Sequence, residues 1–229
     1  MKTYVAFSGG ADSTAMAILL KEQGHEIELV FSDTGAELPE TYWMIPRVAE
    51  KLGAELSVTT NGTFFSWFVG FGYLLPSMHR RWCTRLLKQS PQTVFGKKVE
   101  AELAVGIRAD EPHRMPDAPR PLLDADMDKN DCLALCEKHD LLNPCYKWRS
   151  SCSCFCCPFQ RKNDWRHLLD EHPVLFALAE EWERLSVTTG DYGFGWNQGW
   201  RLEEMRNATE AQLALFDEPR EEACLICQW

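Results

Sequence analysis

The sequence lacks the features that mark exported, membrane and broadly nucleic-acid-binding proteins. Its 24 Lys and Arg residues are outnumbered by 34 Asp and Glu residues, and the net charge of −10 argues against a broad electrostatic grip on nucleic acid. No charged-then-apolar leader begins the chain, so we expect a cytoplasmic protein. The most apolar stretch, Phe64 to Pro76, is too short and too interrupted by glycine to span a bilayer, so we expect no membrane partner.

Two common phosphate-binding patterns and the usual zinc-binding histidine pattern are also missing. The glycine-rich loop near the start has no Lys after its last glycine, as a Walker loop requires, and it does not follow Gly-x-Gly-x-x-Gly. The six histidines show no spacing typical of zinc ligands. If this loop binds phosphate, it does so by a third pattern.

Short β-rich segments alternate with helical segments through the first 110 residues. This alternation is typical of a parallel sheet with helices on both faces, and ligands bind such sheets at the carboxyl ends of the strands. We therefore predict an α/β fold with a parallel, doubly wound sheet and a C-terminal helical, cysteine-rich extension. The predicted strands are residues 3–7, 27–33, 55–60 and 102–107.

A proline-rich stretch at residues 115–121 suggests how the chain is divided. Residues 1–125 are predicted to form the nucleotide-binding α/β core, and residues 126–229 the cysteine-rich, mainly helical region. In the core, residues 39–52 are predicted to form a helix that Pro46 kinks or splits. A helix over residues 129–139 is predicted to bury Cys132 and Cys136 on one face.

Residues 7–14, with the sequence Phe-Ser-Gly-Gly-Ala-Asp-Ser-Thr, join the first strand to the first helix. Glycines let the backbone approach phosphate, and the N–H groups of a helix start favour anions. The pattern resembles the PP-loop of ATP pyrophosphatases, which split ATP between its α and β phosphates. The resemblance implies that Ser8, Gly9, Gly10 and Ser13 hold pyrophosphate and that Asp12 lies near bound Mg²⁺. The alternative is an ordinary glycine turn before a helix.

A second motif, Asp33-Thr34-Gly35, ends the next strand and is followed by Pro-Glu-Thr at a helix start. It resembles the phosphoadenosine phosphosulfate (PAPS) reductase family of the PP-loop superfamily, where this element borders the nucleotide pocket. Asp33, Thr34 and Gly35 are therefore expected to bind the nucleotide. The alternative is that Asp33 and Thr34 only cap a turn.

A third motif centres on Cys83, which lies among Arg80, Arg81, Arg85 and Lys88. The family has a Cys and a downstream Lys at this place. Four nearby cations are expected to favour the thiolate form of Cys83, and they also suit sulfate or phosphate. A solvated basic helix face is the alternative for the arginines.

A fourth motif begins at Gly106 and reads Arg108-x-Asp110-Glu111-x-x-Arg. It resembles the small subunit of sulfate adenylyltransferase and the DNA-phosphorothioation members of the superfamily. The resemblance implies that Gly106 and Arg108 contact the nucleotide, with Arg108 facing its phosphates. Surface salt bridges are the alternative.

Ten cysteines suggest metal or redox chemistry, because five of them fall between residues 145 and 157. Cys154 and Cys157 form a Cys-x-x-Cys before proline, which suits an iron–sulfur cluster or zinc. Cys83 is the expected third ligand, and Cys145 and Cys152 compete to be the fourth. The resemblance implies a 4Fe–4S cluster, with zinc as the alternative metal.

The combined motifs favour ATP-dependent sulfur transfer, with Mg²⁺ and with Asp12, Lys88 and Arg108 as catalytic residues. A sulfonucleotide reductase that yields sulfite is the first alternative. It would use Cys224 or Cys227 as the nucleophile and a thioredoxin-like reductant, although the family's usual Glu-Cys-Gly-Leu-His tail is absent. A non-catalytic nucleotide- and metal-binding subunit of a nucleic-acid modification complex is the second. The expected partners are ATP or a sulfonucleotide, a sulfur donor or reductant, and an acceptor that includes nucleic acid among its candidates.

Overall fold

The protein was analysed as a computed structural model, which describes residues 2–111, 114, 117–190, 193–197 and 199–208. Its centre is a four-stranded, all-parallel sheet with the order β3-β2-β1-β4. The strands are β1 (Lys2–Phe7), β2 (Glu26–Ser32), β3 (Glu55–Thr59) and β4 (Leu103–Ala104). The predicted parallel α/β sheet is confirmed, although β4 is shorter than expected.

Helices connect the strands and form most of the described C-terminal region. They are α1 (Ala11–Glu22), α2 (Pro39–Leu52), α3 (Phe64–Gly70), α4 (Ser90–Val99), α5 (Pro121–Asp124), α6 (Lys129–Lys138), α7 (Lys162–Glu171), α8 (Pro173–Thr188) and α9 (Leu202–Arg206). A π-helix (Thr84–Gln89) runs directly into α4, and a 3₁₀ helix (Pro144–Lys147) follows α6. No helix among these described elements is both long and apolar enough to cross a bilayer.

The order of the strands determines which face each helix covers. The chain moves outward from β1 to β3 through α1 and α2, then returns past β1 to β4. Because such crossovers are right-handed, α1 and α2 lie on one face and α4 lies on the other, where it contacts β2 and β3. The direction reverses beside β1, so the open end of the sheet between β1 and β4 is the expected ligand crevice.

Helix α2 continues through Pro46, so of the two predicted outcomes the split is wrong and the kink stays a prediction. Proline removes one hydrogen bond from a helix interior. Met44, Ile45 and Val48 on the same helix are almost completely buried in the core around the sheet. Tertiary packing of an apolar face supplies most of a helix's stability, and here it outweighs the single lost bond.

Two hydrophobic clusters hold the described residues together. The first surrounds the sheet and contains both Cys132 and Cys136 of α6, which packs against α1, so the predicted burial of these thiols is confirmed. The second joins the aromatic side chains of α3 and Trp82 to α7, α8 and Trp196. Each cluster includes residues from both sides of position 125, and the domain boundary there stays a prediction.

Candidate functional site

The glycine-rich loop closes on itself at the carboxyl end of β1. The hydroxyl of Ser13 accepts a hydrogen bond from the backbone N–H of Ser8 at 3.2 Å and donates one to the carbonyl of Gly10 at 3.1 Å. Ser8, Gly10, Asp12 and Ser13 line a cleft of about 260 Å³ beside β1 and β4. The loop thus forms one wall of a cleft at the crevice that the strand order predicts.

Two glycines are required here by close packing. Gly9 has a φ of +74°, and a Cβ added to it would lie 3.0 Å from Cγ2 of Thr41 on α2. A Cβ on Gly106 would lie 3.2 to 3.3 Å from backbone atoms of Asp12 and Ser13. Gly9 therefore packs behind the loop, whereas Gly106 lines the cleft and lets β4 approach the first turn of α1.

The hydroxyl of Tyr146, which is far along the chain, contacts the first residue of α1. The backbone N–H of Ala11 donates a hydrogen bond of 3.0 Å to the hydroxyl of Tyr146, which lines the cleft. Tyr146 lies on the 3₁₀ helix, next to Cys145, which forms a disulfide with Cys152. Backbone N–H groups at a helix start typically donate to phosphate. In this structure the N–H of Ala11, which is one of them, is hydrogen-bonded to the hydroxyl of Tyr146 instead.

Arg108 links Asp12 of the glycine-rich loop to two other carboxylates, Asp110 and Glu111. Its guanidinium donates to Asp12 at 2.6 Å and to Asp110 at 2.8 Å, and it lies 3.6 Å from Glu111. Arg108, Asp12 and Glu111 are buried, and Arg114 donates to the other oxygen of Glu111 at 2.9 Å. Although burial favours the protonated form of Asp110, its hydrogen bond and charge contact with Arg108 hold its pKa below the ordinary value. Asp12 and Arg114 of this network line the cleft, whereas Arg108 is not among the residues that line it. Contact of Arg108 with a nucleotide stays a prediction.

The Asp33-Thr34-Gly35 element is a capped turn. The carboxylate of Asp33 accepts hydrogen bonds from the backbone N–H of Gly35 at 2.9 Å and from the hydroxyl of Tyr42 at 2.7 Å. Thr34 donates to Glu37 at 2.8 Å. Glu37 lines the cleft beside the glycine-rich loop, while Asp33, Thr34 and Gly35 do not. Nucleotide binding by these three residues stays a prediction, and the capping role is what the structure shows.

The cysteine-rich loop folds back onto this same rim of the sheet. The N–H of Phe155 donates to the carbonyl of Ala36 at 2.9 Å, and Arg149 donates to the hydroxyl of Ser153 at 2.9 Å. These contacts bring the loop against the π-helix that begins after Cys83. Four cysteines then line one cavity of about 40 Å³: Cys83, Cys154, Cys156 and Cys157. This cavity is too small for a nucleotide.

Lys88 is shared by the two spaces. It lines the cleft together with the glycine-rich loop, and it lines the cysteine cavity together with Cys83 and Cys154. Interaction with Cys154, once that thiol ionises, and with Glu37 raises the pKa of Lys88 against the opposing effect of burial, so Lys88 is a cation. The Sγ of Cys154 also lies 3.5 Å from the carboxylate of Glu37. A chain of polar contacts thus connects the cleft to the cavity.

Burial outweighs the nearby cations at Cys83. It raises the pKa of Cys83 to about 11 and that of Cys154 to about 12, with Lys88 opposing both shifts. Arginine side chains are not among the main causes of the pKa shift at Cys83. Arg80 lies over the ring of Phe194 at 4.9 Å, and Arg85 is exposed. Burial therefore opposes the predicted thiolate at Cys83, because desolvation of the thiol exceeds the attraction of Lys88.

The disulfide changes the predicted ligand set. Cys145 and Cys152 are bonded to each other, so in this state neither sulfur offers a thiolate to a metal. The prediction that one of them is the fourth ligand is corrected on that ground, and Cys156, which was not predicted, is the fourth thiol of the cavity. In the described part of the chain, no three His, Cys, Asp or Glu side chains converge as a single metal ion requires.

Several features of the site carried little or no sequence signal. Glu37 lies inside the second motif, and Cys156 adjoins the predicted ligands Cys154 and Cys157, yet the sequence pattern predicts a role for neither. Tyr146 had no signal, because only the fold brings it to α1. The predicted tail residues Cys224 and Cys227 lie outside the described residues.

Comparisons with known proteins bear on this geometry. The phosphoadenosine phosphosulfate reductase domain family matches residues 2–151. An uncharacterized protein of Methanocaldococcus jannaschii is 36% identical over 92 residues, which are 40% of this chain and 19% of that protein. The chain thus spans about a fifth of the length of that relative.

Two solved structures show a distant likeness. The PAPS reductase of Candida auris in its phosphate complex is 15% identical, with a TM-score of 0.46 over 64% of this chain and 76% of that chain. The U34-tRNA thiolase NcsA from Methanococcus maripaludis with its 4Fe–4S cluster is 18% identical, with a TM-score of 0.47 over 100% of this chain and 80% of that chain.

Proposed function

Because the chain belongs to the phosphoadenosine phosphosulfate reductase domain family, we propose that it is a PP-loop enzyme that transfers sulfur at the expense of ATP. In this proposal ATP is cleaved to AMP and pyrophosphate, and an acceptor gains sulfur. One observation carries the proposal: Lys88 lines both the cleft beside the glycine-rich loop and the cysteine cavity. Because Lys88 borders both spaces, a phosphate bound in the cleft would lie near sulfur held by the cysteines.

The phosphate end of ATP is assigned to the loop at the start of α1. Backbone N–H groups of Ser8 to Ser13 and the dipole of α1 favour the β and γ phosphates. Asp12, which is buried at this end of the cleft, is the proposed carboxylate for Mg²⁺. To bind there, the triphosphate must displace the Tyr146 hydroxyl from the N–H of Ala11.

The reaction requires two displacements. An oxygen of the acceptor attacks the α phosphorus, and pyrophosphate leaves with the bonding electrons. A sulfide-level sulfur from the sulfur donor then attacks the acceptor atom that carries this oxygen with its own electron pair, and AMP leaves with the oxygen and the bonding electrons. Lys88 lines the cleft, and Arg108 is buried against Asp12 at the cleft wall. Their proposed role is to stabilise the negative charge that grows on the α phosphate.

The cysteine cavity fits an iron–sulfur cluster by the chemistry of its donors. Thiolates are the ligands that such clusters use, and zinc also accepts them. The proposed ligands are Cys83, Cys154 and Cys157, and Cys156 is the further thiol of the same cavity. When bound, a 4Fe–4S cluster would supply the sulfur site for the transfer.

Anaerobic purification with iron and sulfide analysis, followed by isotope-traced ATP turnover, tests the proposal. We expect bound iron and sulfide, and release of AMP and pyrophosphate when acceptor is present. The variant Cys83→Ala/Cys157→Ala should lose the iron, whereas Cys132→Ala, which removes a buried thiol on α6, should retain it. Full iron content in the double variant would refute the ligand assignment. ATP binding without pyrophosphate release would instead favour a non-catalytic subunit.

The family match also supports a second candidate reaction, the reduction of a sulfonucleotide. A sulfonucleotide reductase would use a tail thiol to attack the sulfur of the substrate, leaving an S-sulfo-enzyme for a thioredoxin-like reductant. Substituting Cys224 and Cys227 by serine separates the two reactions. The ATP-dependent transferase should keep pyrophosphate release in this variant, whereas a reductase should lose sulfite production.

A further inference from the structure

A disulfide closes a short segment against the glycine-rich loop. Cys145 and Cys152, which are seven positions apart in the sequence, are bonded to each other. Cys152 lines the cleft, and so does Tyr146, which belongs to the same crosslinked segment. A Cβ added to Gly10 would lie 3.7 Å from both the carbonyl oxygen of Cys152 and the hydroxyl oxygen of Tyr146. The crosslinked segment therefore lies directly against the loop that is proposed to hold the triphosphate.

The hydroxyl of Tyr146 is held by two parts of the backbone. It accepts a hydrogen bond of 3.0 Å from the N–H of Ala11 at the start of α1. Burial raises the pKa of Tyr146, whereas hydrogen bonds from the backbone of Ala11 and of Cys152 oppose that rise. The phenol is therefore neutral, and Cys152 helps to fix its hydroxyl on Ala11. A phosphate oxygen that binds the N–H of Ala11 has to displace this hydroxyl.

The two ends of the crosslinked segment are anchored differently. Cys145 is completely buried, and its backbone N–H donates to the side chain of Asn143 at 3.0 Å. The side chain of Asn143 in turn donates to the carbonyl of Gly9 at 3.0 Å. Cys152 is only partly buried, and the disulfide ties it to this anchored end. Loss of the crosslink should therefore free Cys152 more than Cys145.

We propose that the disulfide between Cys145 and Cys152 is a redox switch that lowers the affinity of the cleft for ATP. The inference rests on the proposed function, because it regulates the site that is assigned there to the triphosphate. With the disulfide intact, Cys152 keeps the hydroxyl of Tyr146 on the N–H of Ala11, and the triphosphate has to compete with it. With both thiols free, Cys152 withdraws, the tyrosine side chain can rotate away, and that N–H can receive phosphate.

The chemistry of the switch is thiol–disulfide exchange with a dithiol reductant. Because Cys145 is buried and Cys152 lines the cleft, a thiolate of the reductant attacks the Sγ of Cys152. The bond between the two Sγ atoms breaks, and Cys145 leaves with the bonding electrons and takes up a proton. The second thiolate of the reductant then attacks its own sulfur in the mixed disulfide and releases Cys152, which also takes up a proton. The protein gains two electrons and two protons, and the reductant becomes a disulfide.

The entropy of loop closure determines the size of the expected effect. For a segment of this length, a crosslink disfavours open conformations by a factor of up to about 60. Only the open fraction binds ATP with full affinity, so the apparent dissociation constant rises as this fraction falls. We therefore expect the oxidised protein to bind ATP about 5- to 60-fold more weakly than the reduced protein.

Calorimetric titration of the full chain, purified anaerobically, with a non-hydrolysable ATP analogue and Mg²⁺ tests the switch. One sample is oxidised with glutathione disulfide, the other is reduced with dithiothreitol, and both reagents are removed before the titration. Alkylation followed by mass spectrometry verifies the state of Cys145 and Cys152. The comparison of the two samples uses the wild-type chain, so it does not depend on whether a variant folds.

Three variants separate the switch from other effects of the reagents. Cys145→Ser/Cys152→Ser should bind the analogue like the reduced wild type in both samples, because it cannot form the crosslink. In Tyr146→Phe the difference between the samples should shrink, because the competing hydroxyl is lost. Cys132→Ala removes a buried thiol of α6 and is the matched control, which should keep the full difference.

Hydrogen exchange followed by mass spectrometry supplies a readout without nucleotide. The peptide that contains Ala11 should exchange faster after reduction, because the hydroxyl of Tyr146 leaves its N–H. Equal affinities for the analogue in the two samples would overturn the switch and leave the proposed function intact. An unchanged exchange rate, or a full reagent effect in Cys145→Ser/Cys152→Ser, would overturn the switch as well. Absence of analogue binding in both samples would instead refute the proposed function, and the switch with it.

Discussion

Breaking the contact between Arg108 and Asp12 should destabilise the protein strongly, and the two residues should be coupled. The Nη1 of Arg108 lies 2.6 Å from the Oδ2 of Asp12, and the two side chains are 5% and 10% exposed. Removal of one partner from a buried pair costs about 3–5 kcal/mol, because the other charge stays in a poorly solvated place. We therefore expect Arg108→Met and Asp12→Asn each to lower the free energy of unfolding by about 3 kcal/mol.

The double variant distinguishes a direct contact from two separate effects. If the pair interacts, Asp12→Asn/Arg108→Met should be less destabilised than the sum of the single variants by about 1–3 kcal/mol. Urea unfolding followed by tryptophan fluorescence measures this difference. The exposed pair Glu181 and Arg184 on α8 is the control, and its double-mutant cycle should show no resolvable coupling. Additive effects at Asp12 and Arg108 would refute the reasoning.

Three further predictions follow from burial, packing and the loop contacts. The free energy of unfolding should fall as pH rises above about 8.5, by about 1.4 kcal/mol per pH unit for each thiol that ionises only on unfolding. Burial raises the pKa of Cys136 to about 12 and also raises that of Cys132, so Cys132→Ala/Cys136→Ala should flatten this slope in urea titrations, and an unchanged slope would contradict it. Gly106→Ala should weaken ATP binding by calorimetry at least about tenfold, since its Cβ meets the backbone of α1, whereas Gly70→Ala faces open space and should not. Tyr146→Phe should tighten ATP binding about 2- to 10-fold, because the competing hydroxyl is lost, and equal or weaker binding would count against this role.

The parts of the fold that sequence predicted depend on local signals. Apolar runs and the spacing of helical residues gave the parallel sheet, and the rule for the ends of parallel strands put Ser8 and Gly106 at the same rim. Local propensity did not predict that α2 stays one helix through Pro46, because packing of α2 against the sheet decided that outcome. Propensity is a weak prior where an apolar face is buried.

The parts of the site that sequence missed depend on contacts between distant residues. Nothing near Tyr146 indicates that its hydroxyl reaches Ala11, which is 135 residues earlier in the chain. The charge pattern around Cys83 was read correctly as basic, yet burial controls its pKa, and burial is a property of the folded chain. The sequence could not show which of the five cysteines between residues 145 and 157 are metal ligands. Which of them form a disulfide depends on the folded structure, where Cys145 pairs with Cys152.

The most direct test of the account is an iron-edge anomalous difference map from crystals grown anaerobically with a non-hydrolysable ATP analogue. The account predicts an iron peak between Cys83, Cys154 and Cys157, with the triphosphate on residues 8–13 and Lys88 between the two. An iron peak elsewhere, no iron peak, or a triphosphate bound away from this loop would contradict it.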